Sequence, residues 1–219
     1  MIASYRRTVV KTLALAATAA CMAGAAPWAF AADEAPDAMI QRLSDDVLAT
    51  IRSDKTLQSG DVNRVMAVVD SKVMPNVNFT RMTASATGPM WRKATPDQRQ
   101  RLQTEFKSLL VRTYAGALKQ VSDQTVEVKP MRSAPGDKEV VVRTLVKGKG
   151  DPVQLDYRME QTPGQGSGWK IYDLNVLGVW LVDNYRPQFS QQLNAGGVDA
   201  LINSLAERNR SNASPSGKS

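Results

Sequence analysis

Residues 139–176 read EVVVRTLVKGKGDPVQLDYRMEQTPGQGSGWKIYDLNV, and in this stretch the apolar residues recur with a period of two. Three of its segments are rich in β-branched and aromatic residues, Glu139–Lys147, Val153–Gln161 and Trp169–Val176, and a fourth precedes them at Thr125–Lys129. Such segments are typical of β-strands. The breaks between them are short and contain Gly, Pro and Asp, so we predict an antiparallel meander of about four strands.

Alternation along each strand assigns its side chains to two opposite faces. The residues that share a face are Val140, Val142, Thr144 and Val146 in one strand, Leu155, Tyr157 and Met159 in the next, and Tyr172, Leu174 and Val176 in the last. Asp156 and Asp173 fall opposite these apolar positions. They could form a carboxylate pair on adjacent strands, but their outward positions favour solvated surface groups over acid–base chemistry.

Helical periodicity precedes and follows the strands. Apolar stripes predict helices over 40–51 and 62–73, and a short helix is expected at 82–87. The clearest helix start is Thr95-Pro96-Asp97-Gln98, which has the form of a capping box with Pro at the first helical position. The helix that it opens carries an apolar stripe from Leu102 to Val121. After Gly178 two more helices are expected, over 181–193 and 198–208.

This order of elements predicts an α+β fold, in which a helical half packs on a curved antiparallel sheet and C-terminal helices follow. The helical stripes and the apolar sheet face could fill each other as an ordinary core. They could also stand apart and enclose a pocket. The residues alone therefore leave three classes open: a carrier with an apolar cavity, a small-molecule enzyme on a cone-shaped α+β scaffold, and an adaptor with a filled core.

The first 31 residues have the order of a secretory signal. Basic residues at Arg6, Arg7 and Lys11 precede an uncharged, Ala-rich run, and small residues surround Ala31. The run is about fifteen residues long and a bilayer span needs roughly twenty, so we predict cleavage after Ala31. The adjacent arginines also resemble a twin-arginine signal, which ranks second to general export. We expect one domain over 32–210 and a polar tail at 211–219.

The composition excludes several chemistries. The chain has 219 residues, 28 Lys+Arg, 21 Asp+Glu, one Cys and no His, so it has no imidazole base and no His-ligated metal. The single Cys21 lies in the signal, which leaves the mature chain without thiol or disulfide chemistry. No basic block is interleaved with aromatic residues, and we expect no nucleic-acid partner. No nucleophile stands beside a base, so we expect neither an enzyme nor a cofactor.

Several dispersed segments, in the right order, identify a family. In the helical half they are Phe79-Thr80-Arg81-Met82, the run MWRKATPDQR at 90–99, Phe106-Lys107-Ser108-Leu109-Leu110 and Thr113-Tyr114-Ala115. In the second half they are Val142-Arg143-Thr144, Asp156-Tyr157-Arg158, GWKIYD at 168–173, NYRPQF at 184–189 and GGVDALI at 196–202. From about Met39 to Leu205 the chain resembles MlaC-type proteins, also called the toluene-tolerance auxiliary family.

The resemblance implies a periplasmic phospholipid-binding protein. Proteins of this family ferry lipid between an outer-membrane lipoprotein–porin complex and an inner-membrane ABC transporter with an MCE-domain subunit, a system that maintains outer-membrane lipid asymmetry. It also implies that the helical half and the twisted sheet enclose an apolar cavity for acyl chains. Hopanoid-associated relatives leave another lipid as an alternative ligand. This chain has Val176-Leu177-Gly178-Val179-Trp180-Leu181 where the family commonly shows Val-Glu-Gly-Val-Ser-Leu, which makes the turn more apolar.

On this basis we expect a cavity of roughly 1,000 Å³, at the upper end of ligand pockets. Its expected walls are large apolar and aromatic side chains of the sheet and the long helix. The candidate wall residues are Val142, Leu155, Tyr157, Met159, Tyr172, Leu174 and Val176 from the sheet and Phe106, Leu110 and Tyr114 from the helix. Trp91 and Trp180 are candidate residues of the cavity lip, and the headgroup phosphate is expected near the mouth.

Overall fold

The computed structural model describes residues 34–131, 134 and 136–212. The predicted signal at 1–31 lies outside the described residues, and so do residues 213–219 of the expected tail. The α-helices are α1 (Pro36–Ser53), α2 (Lys55–Gln58), α3 (Val62–Val68), α4 (Phe79–Thr87), α5 (Met90–Lys93), α6 (Pro96–Tyr114) and α7 (Leu181–Ser211). A π-helical turn (Val69–Val73) and a 3₁₀ turn (Met74–Asn76) connect α3 to α4, and a second 3₁₀ segment (Ala115–Gln120) follows α6.

Helix α6 begins where the capping box predicts it. The Thr95 hydroxyl accepts a hydrogen bond from the Gln98 amide at 3.2 Å, and the Gln98 side chain accepts one from the Thr95 amide at 3.0 Å. Each partner thereby satisfies a backbone N–H that the helix start leaves free. The stripe of α6 then buries Leu102, Phe106 and Leu109 completely. The helix is the central element against which α4 and α7 pack.

The sheet is the predicted antiparallel meander with one extra strand. Strands β1 (Thr125–Val128), β2 (Glu139–Lys147), β3 (Val153–Gln161), β4 (Trp169–Val176) and β5 (Val179–Trp180) lie in the order of the chain. The two-residue β5 follows a tight turn at Leu177-Gly178, where both residues have positive φ, 52° and 88°. Positive φ at both central positions is the requirement of a type I′ hairpin turn, and Gly178 adopts it without steric cost.

A β-bulge in β4 interrupts the alternation that the sequence predicts. Arg158 pairs with Asp173 while the next residue, Met159, pairs with Ile171, so that Tyr172 has no partner across the ladder. The extra residue shifts the alternation by one position, so that Ile171 and Leu174 share a face although they are three residues apart. Ile171 and Leu174 therefore both face the helices, whereas Tyr172 does not. The expectation that Tyr172 shares a face with Leu174 and Val176 is wrong for this reason.

The expectation that Asp156 and Asp173 are solvated is also wrong, since they are only 4% and 1% exposed. Asp173 accepts hydrogen bonds from the Val182 and Leu174 amides and forms an ion pair with Arg158 at 2.9 Å. Burial raises the pKa of Asp173, and these three partners oppose the rise. The carboxylate thus ties the start of α7 to the sheet, because it occupies a free N–H of the first helical turn.

Three apolar clusters hold the layers together. One joins α4, α6 and α7, a second packs α1 on the sheet, and a third joins the end of α1 to α2, α3 and the end of α6.

The two predicted C-terminal helices form one element with a break at Gly196-Gly197, where Gly197 has a φ of 73°. The element ends at Ser211, one residue inside the expected tail. Among the described residues, no helix combines the length and the hydropathy needed to cross a bilayer.

Candidate functional site

An apolar cavity of about 400 Å³ lies between the sheet and the helices that precede it in the chain. Its helical wall is formed by α1, α2 and α3, the turns at 69–76, the start of α4, and α6 with the 3₁₀ segment after it. Its sheet wall is formed by β1 to β4, and α7 contributes Leu181. Almost every wall side chain is aliphatic or aromatic, so the cavity is suited to a hydrocarbon rather than to a polar substrate.

The periodicity of α1 explains why this helix lines the cavity from Ile40 to Ile51. The lining residues are Ile40, Leu43, Ser44, Val47, Leu48 and Ile51. They recur at intervals of three and four residues, which places them on one helical face. In the sheet wall, Tyr157 of β3 pairs with Leu174 of β4, and both residues line the cavity.

Two tyrosine hydroxyls and one serine hydroxyl interrupt the apolar lining. Burial raises the pKa of Tyr157, while hydrogen bonding to Ser44 and Thr144 opposes the rise. Burial also raises the pKa of Tyr114, and the nearby Tyr185 adds to the effect. Both phenols are therefore neutral throughout the physiological range and act as weak hydrogen-bonding groups, not as bases.

Lys107 is the only lining residue of the described chain with a charged side chain. Its Nζ lies 2.6 Å from Oδ1 of Asp70 in the π-helical turn. The Lys107 side chain is 24% exposed and that of Asp70 is 48% exposed, so the ion pair stands where the cavity wall meets solvent. The neighbours of Asp70 in this turn, Val69 and Val73, line the cavity. The pair therefore marks one side of the mouth.

The structure brings five of the sequence-predicted site residues together in the cavity wall. They are Leu110, Tyr114, Leu155, Tyr157 and Leu174. Three others are completely buried in the core and do not line the cavity, namely Phe106, Val142 and Met159. Phe106 packs against the rings of Phe79, Tyr185 and Phe189 at centroid distances of 5.6, 5.2 and 5.0 Å. The cavity is also smaller than the expected 1,000 Å³.

The remaining four predicted residues also lie away from the cavity wall. Val176 packs against the cluster of α4, α6 and α7, and Trp91 lies beside the same cluster. The Tyr172 hydroxyl donates to Glu139 at 2.9 Å, and the Arg81 guanidinium lies 3.6 Å from the centre of its ring. The Arg158 guanidinium lies over the Trp180 ring, 4.0 Å from its centre.

Sequence reasoning missed the contribution of α1, α3 and the turns that follow α3. Val65, Val68, Val69 and Val73 line the cavity from this region. Their signal was the apolar stripe of the second predicted helix, which marks a buried face but not what the face encloses. Lys107 gave no such signal, since a single Lys in an amphipathic helix is normally a surface residue.

The walls offer no set of groups for catalysis or for metal binding. Within the described ranges, no three His, Cys, Asp or Glu side chains stand close enough to hold a metal ion. The buried Asp156 and Asp173 are not among the lining residues. What the arrangement can do is shelter apolar chains from water, at about 0.8 kcal/mol for each methylene buried.

Comparison with known proteins agrees with this geometry. The sequence model of the family described as MlaC protein matches residues 41–207. A solved phospholipid-binding protein from Ralstonia solanacearum, in complex with a phospholipid, is 47% identical, with a TM-score of 0.77 over 81% of this chain and 98% of that one.

Two curated relatives are more distant. The intermembrane phospholipid transport system binding protein MlaC of Haemophilus influenzae is 23% identical over 80% of this chain and 83% of its own. The toluene tolerance protein ttg2D of Pseudomonas putida is 26% identical over 77% of each chain.

Proposed function

Because the chain belongs to the MlaC family, we propose that it binds a phospholipid in the cavity and carries it through the periplasm. The acyl chains occupy the apolar space between α1, α6 and the sheet, and the headgroup stays at the mouth. Residues 1–31 direct export and are removed. It shuttles lipid between an outer-membrane lipoprotein–porin complex and an inner-membrane ABC transporter with an MCE-domain subunit, and the exchange maintains the lipid asymmetry of the outer membrane.

The observation that carries the proposal is the almost wholly apolar lining of a cavity that opens to solvent. A diacyl lipid has roughly 30 methylenes, whose burial in a bilayer is worth on the order of 25 kcal/mol. A carrier must replace most of this stabilisation with its own walls and must not exceed it by much, since it has to release the lipid. A cavity of about 400 Å³ is modest for this purpose. We therefore expect the helical and sheet walls to move apart when lipid enters.

The enzyme alternative finds little support at this site. A hydrolase or isomerase of this shape needs an acid–base pair within reach of the bound substrate. The polar groups in the walls are two neutral phenols, a serine and one paired lysine. The buried carboxylates of Asp156 and Asp173 belong to the other side of the sheet.

Native mass spectrometry of the exported protein, purified without detergent, tests the proposal. We expect a bound diacyl phospholipid whose mass is lost on delipidation and regained from phospholipid vesicles. A protein that is empty as purified and that takes up no lipid from vesicles would contradict the proposal. Recovery of a hopanoid in place of phospholipid would retain the carrier but change its cargo.

The proposed partners need a separate test. Loaded protein should deliver labelled phospholipid to proteoliposomes that contain the transporter with its MCE-domain subunit, faster than to protein-free vesicles of the same lipids. Equal rates to both vesicles would leave lipid binding intact and contradict the partnership.

A further inference from the structure

Lys107 stands out in the cavity wall because it is the one lining residue of the described chain with a formal charge. Its ammonium lies 2.6 Å from Oδ1 of Asp70, and its side chain is 24% exposed. Lysines commonly bury their methylenes along apolar surface and keep the ammonium at the edge, toward water. The position of this ammonium, between the apolar wall and solvent, is the place that a lipid phosphate would occupy if the acyl chains lay inside.

The chemistry of the pair suits an exchange of partners. A phosphodiester and a carboxylate are both anionic oxygen acceptors, and an ammonium donates equally well to either. Leaving a half-buried ammonium without an acceptor would cost free energy. Asp70 satisfies Lys107 in the structure described here, and a phosphate at the mouth could take its place.

We infer that Lys107 binds the phosphate of the cargo lipid and that Asp70 is the competing partner that holds the same ammonium when no lipid is bound. The inference rests on the proposed function. It assigns the phosphate of the proposed cargo to a named side chain at the mouth. It also assigns Asp70 a role opposite to that of Lys107, because its carboxylate competes with the phosphate.

The pair of Lys72 and Asp46 provides a matched control. Lys72 lies in the same π-helical turn as Asp70, and its Nζ is 2.7 Å from Asp46 on α1. The two side chains are 34% and 49% exposed, close to the values for Lys107 and Asp70. Lys72 does not line the cavity. Its replacement removes an equivalent ion pair from the same turn without removing a charge from the wall.

The test compares a phosphate-bearing lipid with a neutral lipid that has the same acyl chains. The exported protein is delipidated and incubated with vesicles of dioleoylphosphatidylglycerol that carry dioleoylglycerol as a minor component. Native mass spectrometry then gives the ratio of phospholipid-loaded to diacylglycerol-loaded protein. We expect Lys107→Gln to lower this ratio about tenfold, the effect of one charge-assisted hydrogen bond. Asp70→Asn should raise the ratio above the wild-type value, and Lys107→Arg should keep the ratio close to the wild-type value.

The outcomes separate the inference from the proposed function. Suppose that the wild-type protein loads lipid. An unchanged ratio in Lys107→Gln, or a fall in Lys72→Gln as large as that in Lys107→Gln, then overturns the inference but not the proposed function. If the wild-type protein loads neither lipid, the proposed function itself fails. Inorganic phosphate alone provides the last arm. If it raises the unfolding temperature of the lipid-free protein in a Lys107-dependent way while Lys107→Gln leaves the lipid ratio unchanged, the site is one for free phosphate and the lipid assignment is overturned.

Discussion

Phe106 and Leu110 lie one helical turn apart on α6, yet only Leu110 faces the cavity. The difference comes from what each side chain meets. Phe106 is enclosed by aromatic rings from α4 and α7, whereas Leu110 is half-buried and reaches the space under the sheet. The individual wall residue is therefore defined by its neighbours across the interface rather than by its position in the helical stripe.

Replacing Phe106 with Ala tests its assignment to the core. We expect the free energy of unfolding to fall by about 3–5 kcal/mol, the usual cost of removing a buried phenyl ring. Urea denaturation of the lipid-free protein measures the change. Leu110→Ala is the comparison. We expect it to lower the free energy of unfolding less than Phe106→Ala does, and to reduce lipid uptake more. A small stability loss in Phe106→Ala together with lost lipid uptake would place Phe106 in the binding site instead.

Leu155 gives the corresponding test for the sheet wall. Leu155→Gln puts an amide among the acyl chains, where its hydrogen-bonding groups lack partners, so we expect lipid retention to fall about tenfold. Val153→Gln is the control, because Val153 lies two residues away on β3, is 36% exposed and does not line the cavity. Retention can be read from the bound fraction after dilution into empty vesicles. Equal loss in both variants would argue for a general effect on β3.

Among the secondary-structure elements, β1 is the shortest of the four predicted strands and depends on its pairing with β2. Glu127 of β1 accepts from Lys129 at 2.6 Å and also contacts Lys147 of β2. The two ammonium groups lower the pKa of Glu127 from 4.5 to about 2. The charged form of this side chain thus helps to hold β1 on the sheet, although the groups are exposed and the effect is screened by salt.

The shifted pKa of Glu127 predicts a specific pH dependence. A carboxyl whose pKa is lower in the folded state contributes stability above its unfolded pKa and loses it as the pH falls through the folded value. The contribution of Glu127 is therefore present above about pH 4.5 and disappears toward about pH 2. In Glu127→Gln, the unfolding temperature should fall less steeply over this window than in the wild-type protein. Identical slopes at low salt would contradict the assignment.

The strongest predictions from sequence rest on interactions between residues close in the chain, whereas the weakest depend on contacts between distant segments. The capping box at Thr95 located the start of α6, and the period of two located β1 to β4, because both signals act between residues close in the chain. The bulge at Tyr172 gave no local signal. It arises from the pairing of β4 with β3, and a single unpaired residue was enough to turn Tyr172 away from the face predicted for it.

For the whole molecule, the cavity separates two layers that would otherwise share one core. Clusters of buried residues lie on several sides of it, between α1 and the sheet, among α4, α6 and α7, and around α3. These clusters hold the layers on the sides of the cavity, whose own walls meet over a smaller apolar area. A ligand that fills the space stabilises the folded state in proportion to the logarithm of its concentration over its dissociation constant.

Removal of lipid should therefore lower the stability of the whole protein. At a ligand concentration of a hundred times its dissociation constant, the stabilisation is about 2.7 kcal/mol, which corresponds to roughly 5–10 °C for a domain of this size. Calorimetry of the loaded and delipidated protein measures the shift, and reloading from phospholipid vesicles should reverse it. If the two unfolding temperatures coincide, lipid does not bind the folded state preferentially.

Periodicity, turn residues and helix caps were sufficient to predict the helical half, the antiparallel meander and the C-terminal helices, since each of these signals depends on neighbours within a few positions of the chain. They also identified the apolar surfaces that must be buried. Whether those surfaces meet or enclose a cavity depends on how layers formed by distant residues fit together. The packing of Phe106, Val142 and Met159 closes part of the interface, and the bulge in β4 exchanges Tyr172 for Ile171 in the wall. These outcomes are steric properties of the assembled layers, and no short stretch of sequence contains them.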